Sequence, residues 1–168
     1  VVGNIVSVTR GEQATRYAYD ILGCMVAVTA PDGTETAYTY DALGNLTGET
    51  DPLGNVTAFA YTAESLLEKV TYANGTTQSL TYDPAGNVTA ETDAEGNTKE
   101  YQYDKVNRLT AVIDELGNKT SYKYDALDNI AQVTDALKHI TRYTYDKNGN
   151  LLTETDALGN RVRYAYTP

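Results

Sequence analysis

The side chains with the most latent chemistry are the aspartates, which recur in one setting, as in Asp41-Ala-Leu-Gly44, Asp51-Pro-Leu-Gly54, Asp114-Glu-Leu-Gly117 and Asp156-Ala-Leu-Gly159. Glycosidase or aspartic-protease chemistry would require two carboxylates at a defined separation in unlike environments. Nearly every Asp instead opens a turn tetrad, and a capping role accounts for that placement. A calcium loop would need several converging oxygens, as in an Asp-Xaa-Asp-Xaa-Asp-Gly run or a glycine-rich nonapeptide. Neither pattern occurs, so weak surface binding is the most the sequence allows. Cys24 and His139 are the sole residues of their kinds, too few for an intrachain disulfide or a zinc site. His139 stands where positions 55, 97, 118 and 160 have Asn, and Cys24 where positions 45, 87, 129 and 150 have Asn. Both read as turn substitutions. With no nucleophile elbow and no phosphate loop, the expectation is no catalytic residue, no cofactor-binding residue, no metal ligand, no cofactor and no enzyme.

The elements that position these groups come from a repeat. Tyr-Xaa-Tyr-Asp occurs at 17–20, 38–41, 101–104, 122–125 and 143–146, with variants at 59–62, 80–83 and 164–167, always 21 residues apart. Such self-similarity defines a repeat architecture, here one array of about eight repeats over residues 1–168. Sixteen aromatic slots result; Phe59 and Leu80 are the departures, and Tyr72 is the one tyrosine outside them. The first repeat is irregular, since Gly3 and Gly11 lie eight apart where Gly44 and Gly54 lie ten apart. About one turn residue is missing there.

Each repeat carries two turn tetrads, one after the tyrosines and one half a repeat later, such as Asp93-Ala-Glu-Gly96. Asp first, Pro second and Gly fourth suit a type I turn followed by a left-handed residue. Asn107 and Asp128 replace Gly with residues that tolerate that conformation; Ser65 and Lys138 fit less well, which predicts looser turns. Between turns lie segments of about six residues rich in Thr, Val, Tyr and Leu, including Val88–Thr92 and Thr120–Tyr124, which read as strands. No window has helical spacing. The predicted fold is all-β, an antiparallel meander of up to about 16 strands built from 21-residue hairpin repeats. Twist over so many strands predicts curling into an open spiral or partial barrel.

Charge and hydropathy exclude other classes. A net charge of −10 leaves no electrostatic footprint for nucleic acid or anionic membranes. The longest apolar stretch, Ile21 to Val28, falls well short of the roughly 20 residues of a spanning helix. Without an initiator Met or a signal peptide, and with the pattern running into both ends, the sequence reads as a fragment of something longer.

The run Tyr-Xaa-Tyr-Asp-Xaa-Xaa-Gly-Asn-Leu at 38–46, followed by Thr-Asp-Xaa-Xaa-Gly-Asn at 50–55, resembles the YD repeat of bacterial RHS (rearrangement hotspot) proteins, of the shell components of Tc toxins and of teneurins. The resemblance covers the chain, with eight copies in register. It implies a β-stranded strip winding into a hollow shell, which encloses a variable toxin in polymorphic toxins and forms an extracellular barrel in teneurins. It also implies a secreted or cell-surface location, with an enclosed toxin or adjacent domains of the parent chain as partners. The self-cleaving core of complete members carries paired Asp-Pro-Xaa-Gly motifs at short spacing. Asp51-Pro-Leu-Gly54 and Asp83-Pro-Ala-Gly86 lie 32 residues apart in different turn slots and read as ordinary turns, so no cleavage residue is carried over.

Function then turns on the tyrosines. If Asp41 pairs with Asn45, Tyr40 lies opposite Leu46, and likewise Tyr82 meets Val88, Tyr103 meets Leu109, Tyr124 meets Ile130 and Tyr145 meets Leu151. Such cross-strand pairs stabilise a sheet by roughly 0.2–1 kcal/mol each, which makes the stripe packing and the chain a non-catalytic structural segment. The alternative is a cell-surface module whose tyrosines bind glycan or protein. Turns pairing i with i+4 preserve facing parity, so an odd repeat of 21 would flip the tyrosines at each copy. A one-sided stripe predicts one β-bulge or one odd turn per repeat. The end strands near Ile5 and Arg163-Tyr164 are expected to expose pairing edges and favour self-association, against the net charge.

Overall fold

The computed structural model describes residues 3–167. Sixteen strands follow one another: β1 (Ser7–Arg10), β2 (Gln13–Tyr19), β3 (Met25–Thr29), β4 (Glu35–Tyr40), β5 (Leu46–Thr50), β6 (Val56–Tyr61), β7 (Leu67–Thr71) and β8 (Thr77–Tyr82). Then come β9 (Val88–Thr92), β10 (Thr98–Tyr103), β11 (Leu109–Ile113), β12 (Lys119–Tyr124), β13 (Ile130–Thr134), β14 (Ile140–Tyr145), β15 (Leu151–Thr155) and β16 (Arg161–Arg163). The order in the sheet is the order in the chain, and no helix occurs among the described residues, so the all-β hairpin meander is the fold. The residues form two compact units, one running to Leu80 and including Asp93–Gly96, the other comprising Thr81–Thr92 and the residues from Asn97 on.

In the first unit the tyrosine-bearing hairpins set Tyr19 opposite Met25, Tyr40 opposite Leu46 and Tyr61 opposite Leu67. In the second they set Tyr103 opposite Leu109, Tyr124 opposite Ile130 and Tyr145 opposite Leu151. Every one of these six hairpins shifts register immediately before its second tyrosine, as between Thr39 and Tyr40, where Thr39 pairs with Gly48 and Thr47 is the extra residue. The bulge supplies the parity change that a 21-residue repeat requires. Following register from β4 through β5 to β6 places Tyr38, Tyr40, Phe59 and Tyr61 on one face. The same count from β10 to β14 aligns Tyr101, Tyr103, Tyr122, Tyr124, Tyr143 and Tyr145.

The irregular first repeat is explained by its turn. Arg10 pairs directly with Gln13, leaving two residues in the loop with Gly11 at φ 63°, where later far-side turns leave three between the closing pair. One loop residue has been lost, and the glycine spacing shortens by two because Gly11 stands first in its loop where Gly54 stands third.

Each unit is a single layer, with described strands contacting only their neighbours in the chain. Among the described residues, Gly48 and Ala111 alone are buried. The chain exposes 11665 Å², against about 8,100 Å² for a compact monomer of its mass. No double-sided core stabilises these units, so hairpin register, turn closure and the links between consecutive repeats must do so.

Candidate functional site

The turn is the first component. Asp41 accepts from the Leu43 and Asn45 amides at 2.9 Å each through Oδ1, while the Asn45 side chain donates to Oδ2 at 2.9 Å. Asp51, Asp83, Asp125, Asp146 and their Asn partners repeat the pattern. The side-chain bond from the partner Asn, then its backbone amide, holds the Asp41 and Asp51 carboxyls below the usual carboxylate value. A general acid needs the opposite shift, so these carboxylates are held ionised as caps. His139 donates its backbone amide to Asp135 at 2.8 Å and sets Nδ1 2.9 Å from the same carboxylate, so its ring takes the place of the Asn amide. Cys24 keeps the backbone part of that role, donating to Asp20 at 2.9 Å. Asp51-Pro-Leu-Gly54 and Asp83-Pro-Ala-Gly86 are ordinary members of the turn series, with Gly54 and Gly86 at φ 85° and 86°. No group of three His, Cys, Asp or Glu among the described residues could hold a metal ion.

The turns at Ser65 and Lys138 are not looser, contrary to the expectation from sequence. Ser65 and Lys138 adopt φ 63° and 70°, and their amides close onto Thr62 and Asp135 at 3.0 Å as Gly amides do elsewhere. The backbone absorbs the cost, because the two hydrogen bonds of the turn fix the left-handed residue whatever its side chain.

That residue also links repeats. Asn45 donates to Ser65 Oγ at 3.0 Å, Asn87 to Asn107 Oδ1 at 2.9 Å, and Arg108 to Asp128 at 2.5 Å, each reaching 20 residues ahead. Arg108 also engages Asp104 at 2.7 Å and lies 4.7 Å from the centroid of the Tyr124 ring. In the turns that follow the tyrosines, the non-glycine residues Ser65, Asn107 and Asp128 thus bring an acceptor to the preceding repeat, whereas the Lys138 ammonium, in a far-side turn, has no acceptor to offer. A Cβ added at Gly149 would sit 3.7 Å from Asn129 Oδ1, an acceptor where Asn45 and Asn87 present an amide donor. Gly149→Ala is therefore expected to lower stability by about 1 kcal/mol. Gly149→Asn should stay within about 0.5 kcal/mol of wild type, since Asn tolerates the conformation and its side-chain amide can donate to Asn129 Oδ1. Urea melts would check this; equal losses for both variants would mean that no link forms.

The second component is the tyrosine row. Tyr40 donates its hydroxyl to Met25 O at 2.8 Å, Tyr124 to Leu109 O at 2.7 Å, Tyr145 to Ile130 O at 3.0 Å and Tyr166 to Leu151 O at 2.8 Å. Each acceptor is the residue opposite the preceding repeat's second tyrosine, at the bulge. Tyr19 reaches Ile5 O at 3.0 Å over 14 residues rather than 15, because of the shortened first repeat. Burial first of all pushes the Tyr40, Tyr124 and Tyr145 phenols up. Sequence reasoning assigned these rings to packing and missed the hydroxyl. A signal was present: all eight second slots are Tyr, whereas the first slot also admits Phe59 and Leu80.

The RHS repeat matches residues 25–56, 40–77, 61–98, 82–119, 103–140, 124–161 and 145–168, which leaves little of the chain uncovered. The chain belongs to the RHS repeat family. No curated protein matches it along its sequence. Among solved structures, the RHS segment is similar to a chain of the TcdB2-TccC3-Cdc42 crystal structure, with a TM-score of 0.70 and 21% identity over 92% of this chain and 10% of that one. It is also similar to a chain of the Photorhabdus luminescens Tc holotoxin pore, with a TM-score of 0.60 and 19% identity over 95% of this chain and 12% of that one. The RHS segment thus spans about a tenth of the length of these chains. At such identities the likeness is one of fold. Turn caps, forward links and tyrosine hydroxyls together make an RHS repeat that fastens itself to the repeats before and after it.

Proposed function

We propose that this chain is a non-catalytic structural segment of an RHS shell that encloses or displays a toxin or other domain of a longer, secreted or cell-surface protein. The observation that carries this reading is the direction of the second-slot hydroxyls. Five of the eight, those of Tyr19, Tyr40, Tyr124, Tyr145 and Tyr166, are spent on a carbonyl of the preceding repeat, which favours a fastening between repeats over a set of groups offered to a ligand. RHS family membership and the fold shared with Tc toxin chains support it. Residues 1–168 act in this reading as one repeat array, with stability a sum over neighbouring repeats. The outer edges of β1 and β16 would pair with adjacent repeats of a longer array or with another copy.

Double substitution of Tyr103 and Leu109 by Ala tests the reading. Removing one bulge-side aromatic–aliphatic pair is expected to cost about 2–4 kcal/mol and to lower the melting temperature in a single cooperative transition. A glycan array probed with the wild-type chain should stay at background. Saturable glycan binding that disappears on Tyr→Ala substitution while the fold persists would replace the structural reading by a binding one.

A further inference from the structure

The face opposite the tyrosines carries a separate pattern in the second unit. Register sets Lys123 opposite Gln132, Gln132 opposite Arg142, Arg142 opposite Thr155 and Thr155 opposite Arg161, a continuous row across β12 to β16. Its cations fall on alternate strands, about 10 Å apart at a strand spacing of 4.7–4.9 Å. Lys119 and Arg163 share the same face, and the one carboxylate among that face's strand residues is Glu100. Lys123, Arg142 and Arg161 are exposed, and none forms an ion pair among the described residues. Arg161 donates only to Thr155 Oγ1 at 3.2 Å, and Lys119 to Gln102 Oε1 at 2.9 Å. A chain of net charge −10 therefore concentrates five unpaired cations on one face.

We infer that this row is a docking surface for an acidic stretch of polypeptide. The row offers one cation per roughly 10 Å, whereas duplex DNA brings a phosphate about every 1.7 Å. The excess phosphates would meet the ionised turn carboxylates at the two ends of the strands, Asp125 and Asp146 at one and Asp114 and Asp156 at the other. A polypeptide places carboxylates only where its sequence does. Three residues of extended chain, or seven of helix, match the spacing. The inference concerns the face away from the tyrosine row and stands or falls independently of the shell reading.

The test is a fluorescence anisotropy titration of the 168-residue chain with a labelled peptide of seven Glu-Ser-Gly repeats, at about 20 mM salt, where screening lengths exceed the cation spacing. Saturable binding is expected, with a loss of at least about tenfold in the K123E/R142E/R161E variant. K99E/K105E/K147E changes net charge equally but lies on the tyrosine face and the turns, and should lose less than about threefold. Melting curves establish that both variants fold; should the reversal unfold the protein, K123Q/R142Q/R161Q must show the loss instead. Absence of saturable binding by the wild type, equal losses in the two triple variants, or tighter binding of a DNA duplex than of the peptide would each overturn the inference.

Discussion

Replacing Tyr19, Tyr40, Tyr124, Tyr145 and Tyr166 together by Phe is expected to cost about 3–5 kcal/mol of unfolding free energy, close to 1 kcal/mol per lost hydroxyl bond. That is a large share of the 5–15 kcal/mol typical of a folded domain. The apolar packing of each ring survives the change, and the Arg108 contact with ring 124 does not need the hydroxyl, so the loss isolates the bonds to Ile5, Met25, Leu109, Ile130 and Leu151. The matched control replaces Tyr17, Tyr38, Tyr122, Tyr143 and Tyr164 by Phe. It removes the same five oxygens from first-slot rings, none of which donates to a backbone carbonyl among the described bonds, and should lie within about 1 kcal/mol of wild type. Chemical denaturation of the two variants decides the matter. Equal losses would reduce the second-slot tyrosines to packing groups.

Acid should unfold the chain over a narrow range. Hydrogen bonds within the turns hold the carboxyls of Asp41, Asp51, Asp83, Asp114, Asp125, Asp146 and Asp156 below the ordinary carboxylate range, the partner Asn side chain contributing most in each. A carboxyl whose pKa is depressed by folding stabilises the native state fully above its unfolded value, and that stabilisation is lost as pH falls through the folded value. Melting temperature is thus expected to hold steady from neutrality to about pH 5 and to drop steeply below about pH 4. A second edge lies on the alkaline side. The Tyr40, Tyr124 and Tyr145 phenols are raised by burial, so their contribution is complete below the ordinary value of 10.0 and disappears as pH climbs beyond it. Circular dichroism melts across this span would check both edges; a melting temperature unchanged at pH 3 would contradict the turn carboxylates as stabilising caps.

Much of this architecture was legible because the repeat is short and its chemistry local. Turn tetrads specify the hairpins, tyrosine spacing the period, and the odd parity of 21 the bulge. What escaped was set by pairs distant in sequence or by the backbone. The Asn45–Ser65 and Arg108–Asp128 links join residues 20 apart whose side chains meet only once register is known. Ser65 and Lys138 looked like weak turn formers, yet the turn bonds hold them in the left-handed region all the same. Net charge concealed the row Lys123–Arg142–Arg161, because a sum over the chain mixes the acidic turns with the sheet face on which these cations gather. The hydroxyl role of Tyr124 was hidden by its usefulness as a ring.

The single-layer construction has a kinetic consequence. Sheet proteins ordinarily fold slowly because distant strands must find one another before their contacts repay the entropy of closing long loops. Within each unit every described strand pairs with the next one in the chain, and the tyrosine hydroxyl bonds span only 14 or 15 residues. Contact order is therefore close to that of helical proteins, and any hairpin can serve as a nucleus from which neighbours zip in either direction. Folding can keep pace with the chain as it emerges, one 21-residue step at a time, without waiting for a far end to be made.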